Sequence, residues 1–165
     1  MMAPADRIVH QLKYGGWRAL AGPMAERMMQ VGLPREAHEE VRVVVPVPTS
    51  AARRRARGYN QAELLAKEYA HLAGLQLRCL LRRDRTAKTQ TALQPLERAA
   101  NVAGAFRLSG TSGDIAGEHV LLIDDVLTTG ATSAECAKTL VAGGARCVSV
   151  LTFARAFDAR RLTGS

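Results

Sequence analysis

Apolar residues along this chain follow two rhythms, one of helices and one of buried strands. Ile8, Val9 and Leu12 recur at helical spacing within Pro4 to Tyr14, with Pro near the start and Gly15–Gly16 at the end. Trp17 to Val31 repeats the pattern through Leu20, Met24, Met28 and Val31, and Gly32 closes it. At Val41 the rhythm changes. Val41 to Val47 is a β-branched run of the buried-strand kind, and Pro46 and Pro48 end it because neither can donate to a ladder. Thr49 to Asn60 has no apolar period and reads as a loop. Asn60 to Ala73 returns to helical spacing through Ala62, Leu65, Ala66, Tyr69, Leu72 and Ala73, with an Asn60–Glu63 cap and a terminal Gly74. Leu75, Leu77, Cys79 and Leu81 alternate and predict a second strand.

The following stretch, Arg82 to Gln94, is polar and aperiodic, hence a long loop of the kind that is commonly functional. Leu93 to Asn101 predicts a short helix, and Ala105 to Leu108 a short strand. The glycine-rich segment Ser109 to Glu118 is a surface connection. Val120 to Ile123 is a buried strand, and Thr132 and Glu135 have capping-box spacing at the head of a helix reaching about Ala142. Ala137, Leu140 and Val141 form the inward face of this helix. Arg146 to Phe153 is a last buried strand, and a polar tail follows. Strands alternating with helices predict an α/β fold with an open, mostly parallel sheet and helices on both faces. With no repeat, linker or low-complexity tract, residues 1–165 read as one domain. It divides into a helical segment at 1–40, a core at 41–157 and a tail at 158–165.

The chemistry concentrates where the strand Val120 to Ile123 meets its helix, in His119 to Thr132 (HVLLIDDVLTTGAT). Asp124 and Asp125 follow the apolar run, then Thr128, Thr129, Gly130, Ala131 and Thr132. A strand, a tight loop and a helix N-terminus can present backbone N–H groups and hydroxyls to a phosphate. The two carboxylates suit a neighbouring diol, since each accepts hydrogen bonds from hydroxyls. A phosphate beside a diol describes a sugar phosphate, and ribose 5-phosphate fits. A Walker A loop and a strand followed by GxGxxG are both absent, and Val126 stands where a DxD phosphatase pair needs its second Asp.

Composition narrows the partners. The net charge of +8 and pI of about 10.1 favour anionic ligands. Much of the excess lies in Arg53 to Arg57 and Arg78 to Lys88. Neither run contains an aromatic residue, so any contact with single-stranded DNA is expected to be weak, salt-sensitive and confined to phosphates. Cys79, Cys136 and Cys147 form no CxxC pair and each follows an apolar pattern. Core packing, a reducing cytoplasmic location and no zinc are expected. No apolar run is long enough to insert into a membrane, and no signal peptide is visible.

The motif LLIDDVLTTGAT resembles the site of type I phosphoribosyltransferases that binds phosphoribosyl pyrophosphate (PRPP). From about Gln11 to Phe157 the chain resembles the ComF family, competence-associated proteins built on that fold. LKYGG, PVPTS…RRRARGYNQAELLA, TQTALQPLERAANVAGAF and GGARCVSVLTFAR carry the likeness. The resemblance implies a helical hood from residues 1–40 over an acceptor base, on which Trp17 could stack, although a core or interface place is the commoner one for a lone Trp. It makes Thr49 to Asn60 the pyrophosphate loop, with Thr49, Ser50 and Arg57 as ligands, Arg53 to Arg55 being equally readable as a solvated run. It makes Arg82 to Gln94 a closing lid, with Lys88, Thr89, Gln90 and Arg98 matching the family pattern.

The reaction so implied is displacement of pyrophosphate from PRPP with Mg²⁺ carried by the ligand. Asp124, Asp125, Lys88 and Arg98 would have catalytic roles, and Thr128 to Thr132 would hold the 5-phosphate. No general base stands out, and His10, His38, His71 and His119 receive no role. Two readings stay open: a transferase with an unknown acceptor, or a competence module whose PRPP site is regulatory or vestigial and whose basic surface meets DNA. The resemblance further implies a link to DNA uptake and a competence helicase as partner. Family members typically begin with a zinc ribbon of paired CxxC motifs, which this sequence does not contain.

Overall fold

A computed structural model describes residues 4–84, 102–109 and 115–156, with side chains from residue 7 onward. Its centre is a parallel sheet of four strands: β1 (Val43–Pro46), β2 (Gln76–Leu77), β5 (His119–Leu127) and β6 (Cys147–Arg155), in the order β2-β1-β5-β6. Between them in sequence lie β3 (Leu81–Arg83) and β4 (Phe106–Leu108), which form a separate antiparallel ribbon. The helices are α1 (Pro4–Tyr14), α2 (Ala21–Val31), α3 (Arg35–Glu40), α4 (Ala51–Arg57), α5 (Gln61–Ala73) and α6 (Ala131–Ala142).

Both faces of the sheet are covered. Val44, Leu121 and Ile123 face one core with Leu12 of α1, Met24 and Met28 of α2, and Leu65 and Tyr69 of α5. Val43, Val45, Val120 and Leu122 face the other, with Cys136 and Leu140 of α6 and Phe106 of the ribbon. Strands buried on both faces need unbroken apolar runs, which is why VVV and VLLI carry no polar alternation. Among the described residues no helix is long and apolar enough to cross a membrane.

The elements differ from the sequence expectation at several points. Thr49 to Asn60 is not all loop: α4 occupies its middle, with the Ser50 hydroxyl accepting from Arg53 N at 3.3 Å. Its sequence AARRRAR is exposed almost all round, so it leaves no apolar period to detect. The alternating run Leu75 to Leu81 breaks into β2 and β3, because the chain leaves one sheet for the other between them. Leu80 turns inward and Cys79 is exposed, so Cys79 is not a core residue. Leu72 and Val141 are likewise exposed, and Ser133, Cys136 and Leu140 make the buried face of α6. Trp17 leads a short 3-10 turn, Arg18–Leu20, outside the core with 62% of its surface exposed. The predicted short helix Leu93 to Asn101 lies outside the described residues.

Candidate functional site

The sheet order sets where a ligand can enter. From β1 the chain passes through α5 to β2 on one side, whereas from β5 it passes through α6 to β6 on the other. The two crossovers cover opposite faces. The strand order therefore reverses between β1 and β5, and in open α/β sheets ligands enter the crevice at the carboxyl ends of strands at such a point. β1 last pairs at Pro46 with Ile123, and Val47 N donates to Ile123 O at 2.9 Å. β5 continues alone alongside β6, where Asp124 is in register with Thr152. The two acids are thus strand residues beside the gap left by β1, not the start of a turn.

Successive strand residues face opposite sides of a sheet. Asp124 follows Val120 and Leu122 onto the α6 side, and its charge adds to burial in pushing the Cys136 thiol up. Asp125 follows Leu121 and Ile123 onto the α1 side. There its Oδ2 meets Lys13 Nζ at 2.6 Å. Asp125 N donates to Asp124 Oδ1 at 2.8 Å, which locks the two together. Asp124 is surrounded by protein, though it keeps an edge on the cavity. Burial, followed by the neighbouring Asp125 charge, pushes its pKa from 3.8 up to about 8, against the pull of the Asp125 N–H and Lys13.

A cavity of about 270 Å³ opens above these acids. Thr49, beyond the end of β1, and Thr132, at the head of α6, line it, with Lys13, Arg53, Arg57 and Arg83 as its cations. Burial and then the Arg53 charge lower the Arg83 pKa from its ordinary value, and both guanidiniums line this space suited to an anion. Asn60 and Gln61 lie on the same wall. Asn60 does not cap α5 with its side chain; Nδ2 donates instead to Val47 O at 3.0 Å and ties the end of β1 to the helix. Gln61 is buried, and its Nε2 has no protein partner among the described residues.

The turn after β5 holds Thr128, Thr129 and Gly130, leading into Ala131 and Thr132 at the head of α6. Gly130 is the residue before the helix, with φ 81°, where an L side chain would be strained. No side chain caps α6. The predicted Thr132–Glu135 capping box is absent because the helix starts at Ala131, which leaves Thr132 inside its first turn; Glu135 accepts instead from Gly104 N at 2.7 Å. The first N–H groups of α6 keep no side-chain cap, apart from a long contact of Ala131 N with Thr129 Oγ1 at 3.4 Å.

The structure brings Asp124, Asp125, Thr49, Arg57 and Thr132 to one cavity, with Thr128, Thr129, Gly130 and Ala131 in the adjoining turn. Ser50 is engaged as the cap of α4 and does not line this cavity. Lys88, Thr89, Gln90 and Arg98 lie outside the described residues, as does most of the expected lid. Lys13, Tyr14, Asn60, Gln61 and Arg83 are not singled out as ligands by the sequence, which marks Asn60 only as a helix cap and Arg83 only as part of the expected lid. For the first two the available signal was LKYGG, a polar break at the end of an amphipathic helix. As to metal, among the described residues no group of three or more His, Cys, Asp or Glu could hold an ion.

No protein-family profile matches the chain. Curated relatives do. The DNA utilization protein YhgH of Salmonella typhimurium is 33% identical over 156 residues, covering 92% of this chain and 67% of that protein. Competence protein F of Haemophilus influenzae is 33% identical over 152 residues, covering 92% of this chain and 61% of that protein. Among solved structures, the allosteric regulatory enzyme of purine biosynthesis superposes with a TM-score of 0.52 at 23% identity, over 81% of this chain and 25% of that one. Orotate phosphoribosyltransferase from Aeropyrum pernix gives 0.50 at 17% identity, over 85% and 73% respectively. These structural likenesses establish the fold, with its mostly parallel sheet, and the sequence relatives establish kinship. The chain belongs to the ComF family, that of competence protein F and the DNA utilization protein YhgH, and has the type I phosphoribosyltransferase fold.

Proposed function

We propose that this chain binds PRPP with Mg²⁺ in the crevice between β1 and β5, as a phosphoribosyl-transferring or phosphoribosyl-sensing protein of DNA utilization. The observation that carries this reading is the pair Asp124 and Asp125 on one wall of a cavity whose other walls bear Arg53, Arg57 and Arg83. Carboxylates accept from ribose hydroxyls, and guanidiniums match phosphate oxygens. The turn Thr128 to Thr132 adds N–H groups that lack a side-chain cap. The names of the relatives, competence protein F and DNA utilization protein, favour the cellular setting.

The donor set fits a hard cation. Asp124 and Asp125 offer carboxylate oxygens, and the raised pKa of Asp124 is the mark of too much negative charge too deep in protein. Mg²⁺ would be held by these acids together with the ligand's own phosphates, and would neutralise departing pyrophosphate. The protein's own part is to orient the ribose on the acids and to place positive charge from Arg53 and Arg57 at the pyrophosphate end. Calorimetry with PRPP and Mg²⁺ tests the reading. Metal-dependent heat that is lost in the Asp124→Asn, Asp125→Asn double variant is expected. No heat from the wild type at millimolar PRPP would end it. An acceptor screen with PRPP consumption as readout then separates transfer from sensing.

A further inference from the structure

Asn60, Gln61 and Ala62, at the head of α5, line the cavity together with Thr49, Arg53 and Arg57. α5 runs for 13 residues, and Asn60, the residue before it, makes no side-chain cap bond. Asn60 O accepts from Leu64 N at 3.2 Å, so the N–H groups of Gln61, Ala62 and Glu63 precede the helical ladder. The position of this turn is fixed from several sides. Asn60 Nδ2 holds Val47 O at 3.0 Å, Ala62 packs in the same core as Val47, and the buried Tyr59 has its hydroxyl on Leu12 O. Glu63, the acid of the turn, pairs with Arg54 at 3.4 Å and does not line the cavity.

A helix head is a common feature and by itself identifies nothing. Gln61 sets this one apart. Only 3% of its surface is exposed, and Nε2 has no protein partner among the described residues. Buried N–H groups are nearly always paired, and one left unpaired costs the folded chain stability. The cavity beside Gln61 is rich in donors, with Lys13, Arg53, Arg57 and Arg83 on its walls. Its two carboxylates are already engaged, Asp124 with Asp125 N and Asp125 with Lys13. An acceptor for Gln61 therefore has to come from a ligand, and a phosphate oxygen supplies one. The terminal torsion of Gln is broad, so its amide turns toward the cavity at little cost. We propose that the head of α5 is a second anion seat, one that takes the pyrophosphate end of the ligand, with Gln61 Nε2 donating to a pyrophosphate oxygen. Given the PRPP reading on which it rests, this seat selects a pyrophosphorylated sugar over the bare sugar monophosphate. The two ends of the ligand then lie against two helix heads, the 5-phosphate at α6 and the pyrophosphate at α5.

Calorimetry with Mg²⁺ and three probes tests this: PRPP, inorganic pyrophosphate and ribose 5-phosphate. Gln61→Met keeps the length of the side chain and removes its donor. It should weaken PRPP and pyrophosphate by roughly ten- to 150-fold, as loss of one hydrogen bond to a charged group implies, and leave ribose 5-phosphate unchanged. Without ligand the same variant should melt no lower than the wild type, since it buries no unpaired N–H. Stability and affinity thus move in different directions, which a merely structural residue would not produce. Gln61→Glu keeps the shape but replaces the donor with a carboxylate, and should lose pyrophosphate at least as severely.

Wild-type affinity for PRPP and pyrophosphate in either variant would overturn the proposal. So would an equal loss of ribose 5-phosphate, which would put Gln61 at the sugar instead of the pyrophosphate. A Gln61→Met chain that melts lower and loses all three ligands alike would make the residue structural. The two readings fail separately. Wild-type PRPP heat that ignores Gln61 sinks only the seat at α5. A wild type that binds pyrophosphate through Gln61 but gives no heat with PRPP sinks only the PRPP reading.

Discussion

Replacing Asp124 by Asn tests the electrostatics of the acid pair without the ligand. Asn keeps the side-chain shape and the oxygen that accepts Asp125 N at 2.8 Å, and removes only the ability to ionise. In the folded chain Asp124 gives up its proton near 8 instead of 3.8, chiefly through burial and secondarily through Asp125. Between those two values the folded chain holds a proton that the unfolded chain has released. Stability therefore falls as pH rises through that window. This contribution is complete below about pH 4 and is lost by about pH 8. The ceiling is about 1.4 kcal/mol per pH unit, so about 3 kcal/mol over two units. Asp124 keeps an edge on the cavity, and water screens part of the effect. About half the ceiling, on the order of 1–2 kcal/mol or a few degrees in melting temperature, is the working figure.

The assay is urea unfolding of both proteins at a series of pH values. Only the difference between them is read, because other titrating groups cancel there. Wild type should lose stability relative to Asp124→Asn as pH rises, until the variant is the more stable near neutrality. A difference that stays flat across the window, or that moves in favour of the wild type, would refute the reasoning. The same proton links to ligand. If ionised Asp124 takes the diol and its cation, PRPP affinity of the wild type should climb with pH through this window, and that of the variant should not.

Three further outcomes are expected. Lys13→Met leaves the nearly buried Asp125 carboxylate without its cation and should lower stability by about 1–3 kcal/mol, below the range for a fully buried pair because Lys13 is partly open; thermal denaturation checks it. Glu40→Gln should weaken the clasp in which Glu40 Oε2 meets Arg146 and His119, each at 2.8 Å. Arg146 first and then His119 hold the Glu40 pKa below its ordinary value, so the stabilisation is present above about pH 4.5 and is lost as pH falls; a Tm difference that grows in acid would contradict this. Deleting Thr86 to Ala92 should cut PRPP turnover, or PRPP affinity if there is no turnover, more than it cuts melting temperature, and equal losses would make that segment structural.

Much of the fold is visible in hydrophobic period alone. VVV and VLLI announce strands covered on both faces, and the spacings in α1, α2 and α5 announce helices against a core. Period fails where an element has no buried face to display. AARRRAR forms α4 with almost every side chain in solvent, so only Ser50 and Gly58 mark its ends; Gly58, at φ 78°, takes a conformation that suits glycine. Period also fails where the chain changes sheets, as between β2 and β3. Capping signals fail when a distant partner competes for the side chain. Asn60 is taken by Val47 O, whereas the Thr132–Glu135 signal fails because α6 already starts at Ala131. At the site, the acids and the turn after them were legible because one strand and one loop hold them. Lys13 and Tyr14 were not, because their partners Asp125 and Arg57 are remote in sequence and meet only once α1 is docked on the sheet.

That docking changes what the first helix is for. In the resemblance to phosphoribosyltransferases, the N-terminal segment is a hood above the acceptor. In this chain α1 also supplies a cation, Lys13, to the acid pair beneath it. Asp124 and Asp125 leave β5 on opposite sides because they are neighbours on a strand, yet Lys13 acts on both, pairing with Asp125 and opposing the rise of the Asp124 pKa. α6 covers Asp124, and α1 covers Asp125 with Lys13. The next residue, Tyr14, leaves that pair and stacks on Arg57, which itself lines the anion cavity. The end of α1 therefore ties the acid pair to the cationic wall of the cavity: Lys13 pairs with Asp125, and Tyr14 accepts from Arg57.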